Sequence, residues 1–199
     1  MSKSVLYMSM SVDGFIAGPN AAPGNGLGDK GHRLHEWFLP DADAEHRRDL
    51  DRLAGANREV MDEAMATGAV VAGRRTFELA GGWGGDHHDG VPIFVLTRRR
   101  APKPRWPGVT YVNDVTAAMN AAKDAAGDKD VLVHGARTAR LALDAGVLDE
   151  LQIHLVPVLL GQGELLFADM PPDHIELELL RAADGAGVTH LRYRVRTEG

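Results

Sequence analysis

Apolar residues in this chain gather in short unbroken runs, and the runs end abruptly on glycine or on positive charge. Residues 69–72 meet Gly73 and then Arg74 and Arg75; residues 93–96 meet Thr97 and then Arg98, Arg99 and Arg100; residues 131–133 meet His134, Gly135 and Ala136, with Arg137 and Arg140 beyond. Unbroken runs of this length predict strands buried on both faces, as in a parallel sheet covered by helices. Residues 5–12 predict a first strand closed by Asp13-Gly14, and residues 109–112 a short one. Helical periods lie between the strands. Within residues 41–66, Leu50, Leu53, Val60, Met61, Ala64 and Met65 follow one, interrupted by Gly55, so one broken helix or two is expected. Val115, Ala118, Met119 and Ala122 share a face between a capping Asp114 and a stopping Gly127, and a further helix follows Gly135 and ends near Gly146. Residues 150–160 predict a long strand whose Val156-Pro157-Val158 marks a bulge or an edge position. Ile175, Leu177 and Leu179 alternate, as do Leu191, Tyr193 and Val195, around a turn at Asp184-Gly185-Ala186-Gly187, which predicts an antiparallel hairpin. Together these elements give a three-layer α/β fold, with a mixed, mostly parallel central sheet, an antiparallel C-terminal edge and flanking helices.

Composition narrows the function. The 199 residues, 44% hydrophobic, suit one domain over residues 1–199. A net charge of −6 argues against general nucleic-acid binding, so the arginine clusters are local features. The absence of cysteine excludes disulfides, iron–sulfur clusters, thiolate zinc sites and cysteine nucleophiles. Serines at positions 2, 4, 9 and 11 interrupt any apolar signal core, and residues 155–160 are too short to span a bilayer. A cytoplasmic protein with no membrane role is expected.

Where parallel strands end together, ligands bind in the crevice at that edge. Here the edge carries glycines and arginines at helix starts, which present backbone N–H groups and cations to a phosphate, so a phosphorylated dinucleotide is the leading ligand. Gly26-Leu27-Gly28-Asp29-Lys30-Gly31 matches G-x-G-x-x-G but lacks the strand before and the helix after, and reads as coincidence in a glycine-rich loop, residues 18–31, of the kind that forms a mobile lid. Asp86-His87-His88-Asp89 reads as a solvated loop and not a metal site, since adjacent residues seldom converge on one ion. Arg99 and Arg100, with Lys103 and Arg105, read as a solvated face. Three assignments stay open. Asp13 is a turn residue or touches the active site; His154 is a hydrogen-bonded core histidine or a catalyst; Trp37, Phe38 and Trp83 line a substrate pocket or simply pack.

Ser9 to Gly18, Val71 to Glu78, Val95 to Arg98 and Val131 to Ala136 resemble, in order, the four cofactor-side motifs of the dihydrofolate reductase-like superfamily. Leu148 to Leu151 with Val156 to Phe167 is similar to the branch containing the C-terminal reductase domain of the bifunctional riboflavin-biosynthesis deaminase/reductase. The resemblance covers most of residues 4–196 and implies a three-layer dihydrofolate reductase-like fold with NADPH as hydride donor. By motif, Ser9, Ile16 and Ala17 would lie along the nicotinamide. Gly73, Arg74, Arg75 and Thr76 would hold phosphates, with Arg74 toward the 2′-phosphate and Arg75 toward the pyrophosphate. Thr97 and Arg98 would complete the adenosine-phosphate site, and Gly135, Ala136, Arg137 and Thr138 would set a helix start beneath the pyrophosphate. His134 departs from the family's usual double glycine, so its ring either crowds the cofactor or points into the sheet. On the substrate side, Asp13 is the catalytic candidate, and Trp37, Trp83 and His154 the substrate-binding ones. Dihydrofolate itself is not implied, because Glu36, Asp41, Asp43 and Glu45 cannot be ranked as its carboxylate partner. The implied activity is hydride transfer to a small pterin- or aminopyrimidine-like heterocycle or a related carbonyl or imine; the alternative is an inactive NADP(H)-binding or sensing module. A homodimer is implied too, with residues 150–160 as candidate interface.

Overall fold

The computed structural model describes residues 2–39, 50–99, 102–168, 170 and 174–196. Strand β1 (Ser4–Ser11) leads through a short β2 (Phe15–Ala17) and the 18–31 loop to helix α1 (Gly55–Met65). Then β3 (Ala69–Gly73), α2 (Arg74–Leu79), β4 (Ile93–Leu96), β5 (Val109–Val112), α3 (Val115–Ala126), β6 (Val131–His134) and α4 (Ala136–Asp144) follow. The chain closes with β7 (Glu150–Val156), β8 (Glu164–Leu165) and the hairpin β9 (Leu177–Gly185) and β10 (Val188–Val195). Eight strands form one sheet in the order β5-β4-β3-β6-β1-β7-β10-β9, parallel from β5 to β7 and antiparallel from there on, while β2 and β8 pair separately.

Side-chain alternation along the strands builds two of the three buried clusters among the described residues, the third being Leu34, Trp37, Val60, Met61, Val156 and Val188. Leu6, Val71, Val133 and Leu151 point to one face, where Ala118, Met119 and Ala122 of α3 and Ala139 and Ala142 of α4 cover them. Val5, Val70 and Leu132 point to the other, under Ala64 of α1 and Phe77 of α2. Fully burying a side chain such as Met119 or Leu132 contributes about 1.5–3 kcal/mol, so these small contact faces hold the three layers together. Asp114 caps α3 by accepting from the Ala117 N–H at 2.8 Å, and Gly127 (φ 66) ends it as expected.

The structure corrects two expectations. Strand β7 is neither bulged nor an edge: it pairs with β1 on one side and β10 on the other and stops at Val156, so Pro157 stands just past the ladder it cannot join. The free C-terminal edge is β9, and residues 150–160 offer no open strand to a partner. The 41–66 segment divides as foreseen at Gly55, with a short 3-10 turn at Leu50–Arg52 before α1, while residues 41–49 lie outside the described residues. Loop 18–31 is stitched by its own bonds: Asp29 accepts from Asn20 at 2.7 Å and Asn25 at 3.0 Å, and the Gly18 N–H donates to Leu27 at 2.8 Å. Gly28 and Gly31 pack inside this loop and Gly26 packs against Leu79 at the end of α2, all away from any strand-to-helix turn. Among the described residues no helix is long and apolar enough to cross a membrane.

Candidate functional site

Because β4, β3 and β6 are adjacent and parallel, their C-terminal ends meet at one edge, with Gly73 beside Leu96 and Ala72 beside His134. A cavity of about 1070 Å³ opens there. Gly73, Arg74, Arg75 and Thr76 line it from the β3–α2 turn, Thr97 and Arg98 from the end of β4, and Arg137 and Thr138 from the start of α4. The sequence reading therefore converges on one place for eight of its residues. Both helices start on a glycine, which provides no side-chain cap, so their first-turn N–H groups are left for a ligand or water.

Gly135 is sterically required and Gly73 leaves little room for a side chain. A Cβ on Gly135, whose φ is 96, would run into Thr76 Oγ1, and one on Gly73 would meet Thr138 Oγ1 at 3.0 Å. Thr138 itself is buried, and its hydroxyl finds no hydrogen-bond partner. A buried unpaired hydroxyl is unfavourable unless something completes it. The donor set around it is cationic. Arg74 uses Nε on Glu78 at 2.7 Å and keeps its other donors; Arg75 reaches Glu164 at 3.7 Å; Arg98 is exposed at the strand end. Backbone donors, an orphaned hydroxyl and these guanidiniums fit the phosphates of a dinucleotide.

A second cavity of about 330 Å³ shares Arg137 and Glu164 with the first and is otherwise walled by Ala136, Leu165 and Leu166, among others. Sequence reasoning overlooked the Gly18–Ala21 side, the Gln162-Gly163-Glu164 turn and Arg99, read there as part of a solvated face, all of which line the main cavity. The signal was present in Gly163, where a Cβ would strike the Ala17 carbonyl, so only glycine lets the turn close on β2.

The other candidates lie outside the linings of both cavities. Asp13 straps two loops: it accepts from Ser11 Oγ at 2.6 Å and from the Leu160 and Gly161 N–H groups at 3.1 and 2.7 Å. The Ser11 hydroxyl, helped by those N–H groups, holds its carboxyl below the usual range, so it is ionised. Ile16 and Ala17 are buried on β2, and Ser9 accepts from Trp37 Nε1 at 3.0 Å. Trp37 packs on His154 and His190, with ring centres 4.8 and 5.0 Å away. His190 donates from Nε2 to Asn57 Oδ1 at 2.9 Å and accepts at Nδ1 from His154 at 2.9 Å. Burial pushes His154 well below its ordinary value and His190 to about 4, so both rings are neutral. Trp83 is half-buried against Phe77, His87 and His134. None of Ser9, Asp13, Trp37, Trp83 and His154 lines either cavity.

His134 does not crowd the cradle. Its ring turns onto the sheet, donating to the Tyr7 carbonyl at 3.0 Å and meeting His87 at 3.1 Å. The solvated-loop reading of residues 86–89 holds for the exposed Asp86 and Asp89 but is overturned for His87 and His88, which are only 7% and 8% exposed and take each other and His134 as partners.

The fold and this edge define an α/β domain with an arginine-lined cavity at the C-terminal ends of parallel strands. The chain belongs to the RibD C-terminal domain family, which it matches over residues 3–191. The fold is shared with a Shewanella sp. PV-4 protein described as a riboflavin biosynthesis protein, at 19% identity and a TM-score of 0.67, covering 99% of this chain and 100% of that one. It is shared also with Acinetobacter baumannii RibD at 14% identity and a TM-score of 0.62, where 99% of this chain spans 59% of the larger protein. No curated protein sequence matches the chain.

Proposed function

We propose that this domain is an NADPH-dependent reductase, related to the riboflavin-pathway reductases, that acts on a small pterin- or aminopyrimidine-like heterocycle or a related carbonyl or imine. The observation that carries this reading is the cradle: glycines with little or no room for a Cβ, the unpaired Thr138 hydroxyl and five arginines, Arg74, Arg75, Arg98, Arg99 and Arg137, around one cavity. Arg74 and Arg98 take the 2′-phosphate, and Arg75, Arg137 and the start of α4 take the pyrophosphate. Ser9, Ile16 and Ala17 lie toward the nicotinamide end, and Thr97 toward the adenosine. When bound, the cofactor supplies hydride. Trp37 and His154 orient Ser9 from behind, Trp83 braces the β6 end, and Asp13, ionised and fully engaged, holds the substrate-side loops. That commitment of Asp13 also favours a second reading, a module that binds NADP(H) without turnover.

Calorimetric titration with both dinucleotides tests the cofactor assignment. A charge-assisted hydrogen bond is worth about 1.5–3 kcal/mol, so Arg74→Ala and Arg98→Ala are expected to weaken NADPH roughly ten- to a hundredfold and NADH much less. Arg75→Ala should weaken both. Equal losses for the two cofactors would remove the 2′-phosphate assignment. No binding by the parent would remove both readings, and binding without NADPH consumption across heterocycle and carbonyl panels would favour the second. The proposed assembly is a homodimer, supported by exposed Leu177 and Leu179 on the edge strand β9 and by Leu159; a one-chain mass in light scattering would exclude it.

A further inference from the structure

Three imidazoles line up beside the cradle, and neutral rings cannot supply the protons they require. His134 Nδ1 lies 3.0 Å from the Tyr7 carbonyl, an acceptor only, so that nitrogen carries a proton. At the other end His88 Nε2 lies 3.1 Å from the Thr67 carbonyl and 3.2 Å from Thr67 Oγ1, whose own proton goes to the Ala64 carbonyl at 2.8 Å. That nitrogen carries a proton as well. Between them stand two nitrogen–nitrogen contacts, His134 Nε2 to His87 Nε2 at 3.1 Å and His87 Nδ1 to His88 Nδ1 at 2.8 Å. Each needs one proton, since otherwise two lone pairs face each other at hydrogen-bond distance. One proton at each end and one in each contact make four, whereas three neutral rings hold three.

We propose that His87, His88 and His134 share one proton beyond the neutral count, forming a buried imidazolium that latches the glycine-rich loop 81–90 to the C-terminal end of β6. The surroundings suit a cation. Trp83 lays its ring 4.8 Å from His87 and 5.8 Å from His134, the aromatic partner that best accommodates positive charge. To do so it adopts a left-handed backbone (φ 49), which a bulky residue takes only when its surroundings impose it. Gly82 and Gly85 make that placement feasible, because a Cβ on either would strike Trp106.

Among the described residues, the titratable groups nearby include Tyr7 on β1, whose phenol burial pushes up to about 12, and His154 on β7, which burial keeps neutral. On the loop itself Asp86 and Asp89 are exposed, with Asp86 accepting from the Gly90 N–H at 3.0 Å. A shared metal ion does not fit, since His87 turns a different nitrogen to each neighbour and leaves no common point for the three rings. If the dinucleotide reading holds, the latch bears on the cradle through Gly135, next to His134, and through α2, which runs into loop 81–90. The proton count does not depend on that reading.

Long-range proton–nitrogen NMR on the histidine-labelled protein counts the ring nitrogens that carry protons. About one pH unit above the ordinary histidine value of about 6.5, the three rings should show four such nitrogens, including His134 Nδ1 and His88 Nε2. In His134→Phe the remaining pair needs only two, and the excess proton should be lost. A count of three in the parent overturns the proposal, and so does an excess proton retained by the variant. The parent count decides alone if the variant does not fold. NADPH titration of the same sample separates the two readings: four protons without binding leaves the latch and removes the reductase, and three protons with binding does the reverse.

Discussion

Thr138 carries a hydroxyl that the fold buries and does not pair, so removing that hydroxyl separates folding from binding. An unsatisfied buried polar group costs about 1–3 kcal/mol, and a net hydrogen bond to a ligand is worth about 1 kcal/mol or more. Thr138→Val is therefore expected to raise the ligand-free protein's urea midpoint and to weaken NADPH by roughly tenfold. Urea melts and calorimetry on one preparation check both signs, and a destabilised variant with unchanged affinity would make the hydroxyl a folding group. The cradle was legible at this scale because its residues are local: each arginine or threonine follows within a few positions of a strand end. The residues that escaped are paired across the chain. Asp13 meets Leu160 over 147 positions and His87 meets His134 over 47, and no local pattern announces which loops will touch.

Strands and helices were legible wherever one local rule governed. Continuous apolar runs marked β3, β4 and β6, alternation marked the β9–β10 hairpin, and Asp114 with Gly127 bracketed α3. Strand β7 was misread because Pro157 signals an edge, yet proline also simply ends a strand, and only the sheet order distinguishes the two. Loop 18–31 has the composition of a lid, and its Asn and Asp side chains bond to one another. Helix α3 tests whether such an element acts on stability alone, since none of its residues lines either cavity. Asp114→Ala removes the cap at Ala117 and should cost about 1 kcal/mol of stability while leaving dinucleotide affinity unchanged. A change in affinity would mean that α3 is coupled to the cradle through the sheet.

Across the whole molecule, buried histidines set the response to acid. Burial lowers His35 and His190 to about 4 and His154 well below its ordinary value, so the folded chain keeps all three neutral. Unfolded, each takes up a proton near pH ~6.5. Below that point the unfolded state binds more protons, so folding weakens as pH falls, by up to about 1.4 kcal/mol per pH unit for each histidine. The carboxylates act lower down. For Asp149 and Glu150 burial alone would raise the pKa, but Lys123 with Ser4, and Lys3 with Arg192, outweigh it and hold both low. Their contribution is present above their unfolded value near pH ~4 and is lost only as pH falls through the folded one. The first losses on acidification therefore belong to the histidines. In urea unfolding between about pH 7 and pH 5, His35, His154 and His190 should contribute a slope approaching about 4 kcal/mol per unit at the acid end of that range, to which the His87–His88–His134 group adds, a large share of a typical domain stability of about 5–15 kcal/mol. His190→Asn, which leaves no imidazole to protonate there, should flatten the slope by about one proton. A parent whose unfolding free energy is constant across that interval would mean that these rings are already charged in the fold.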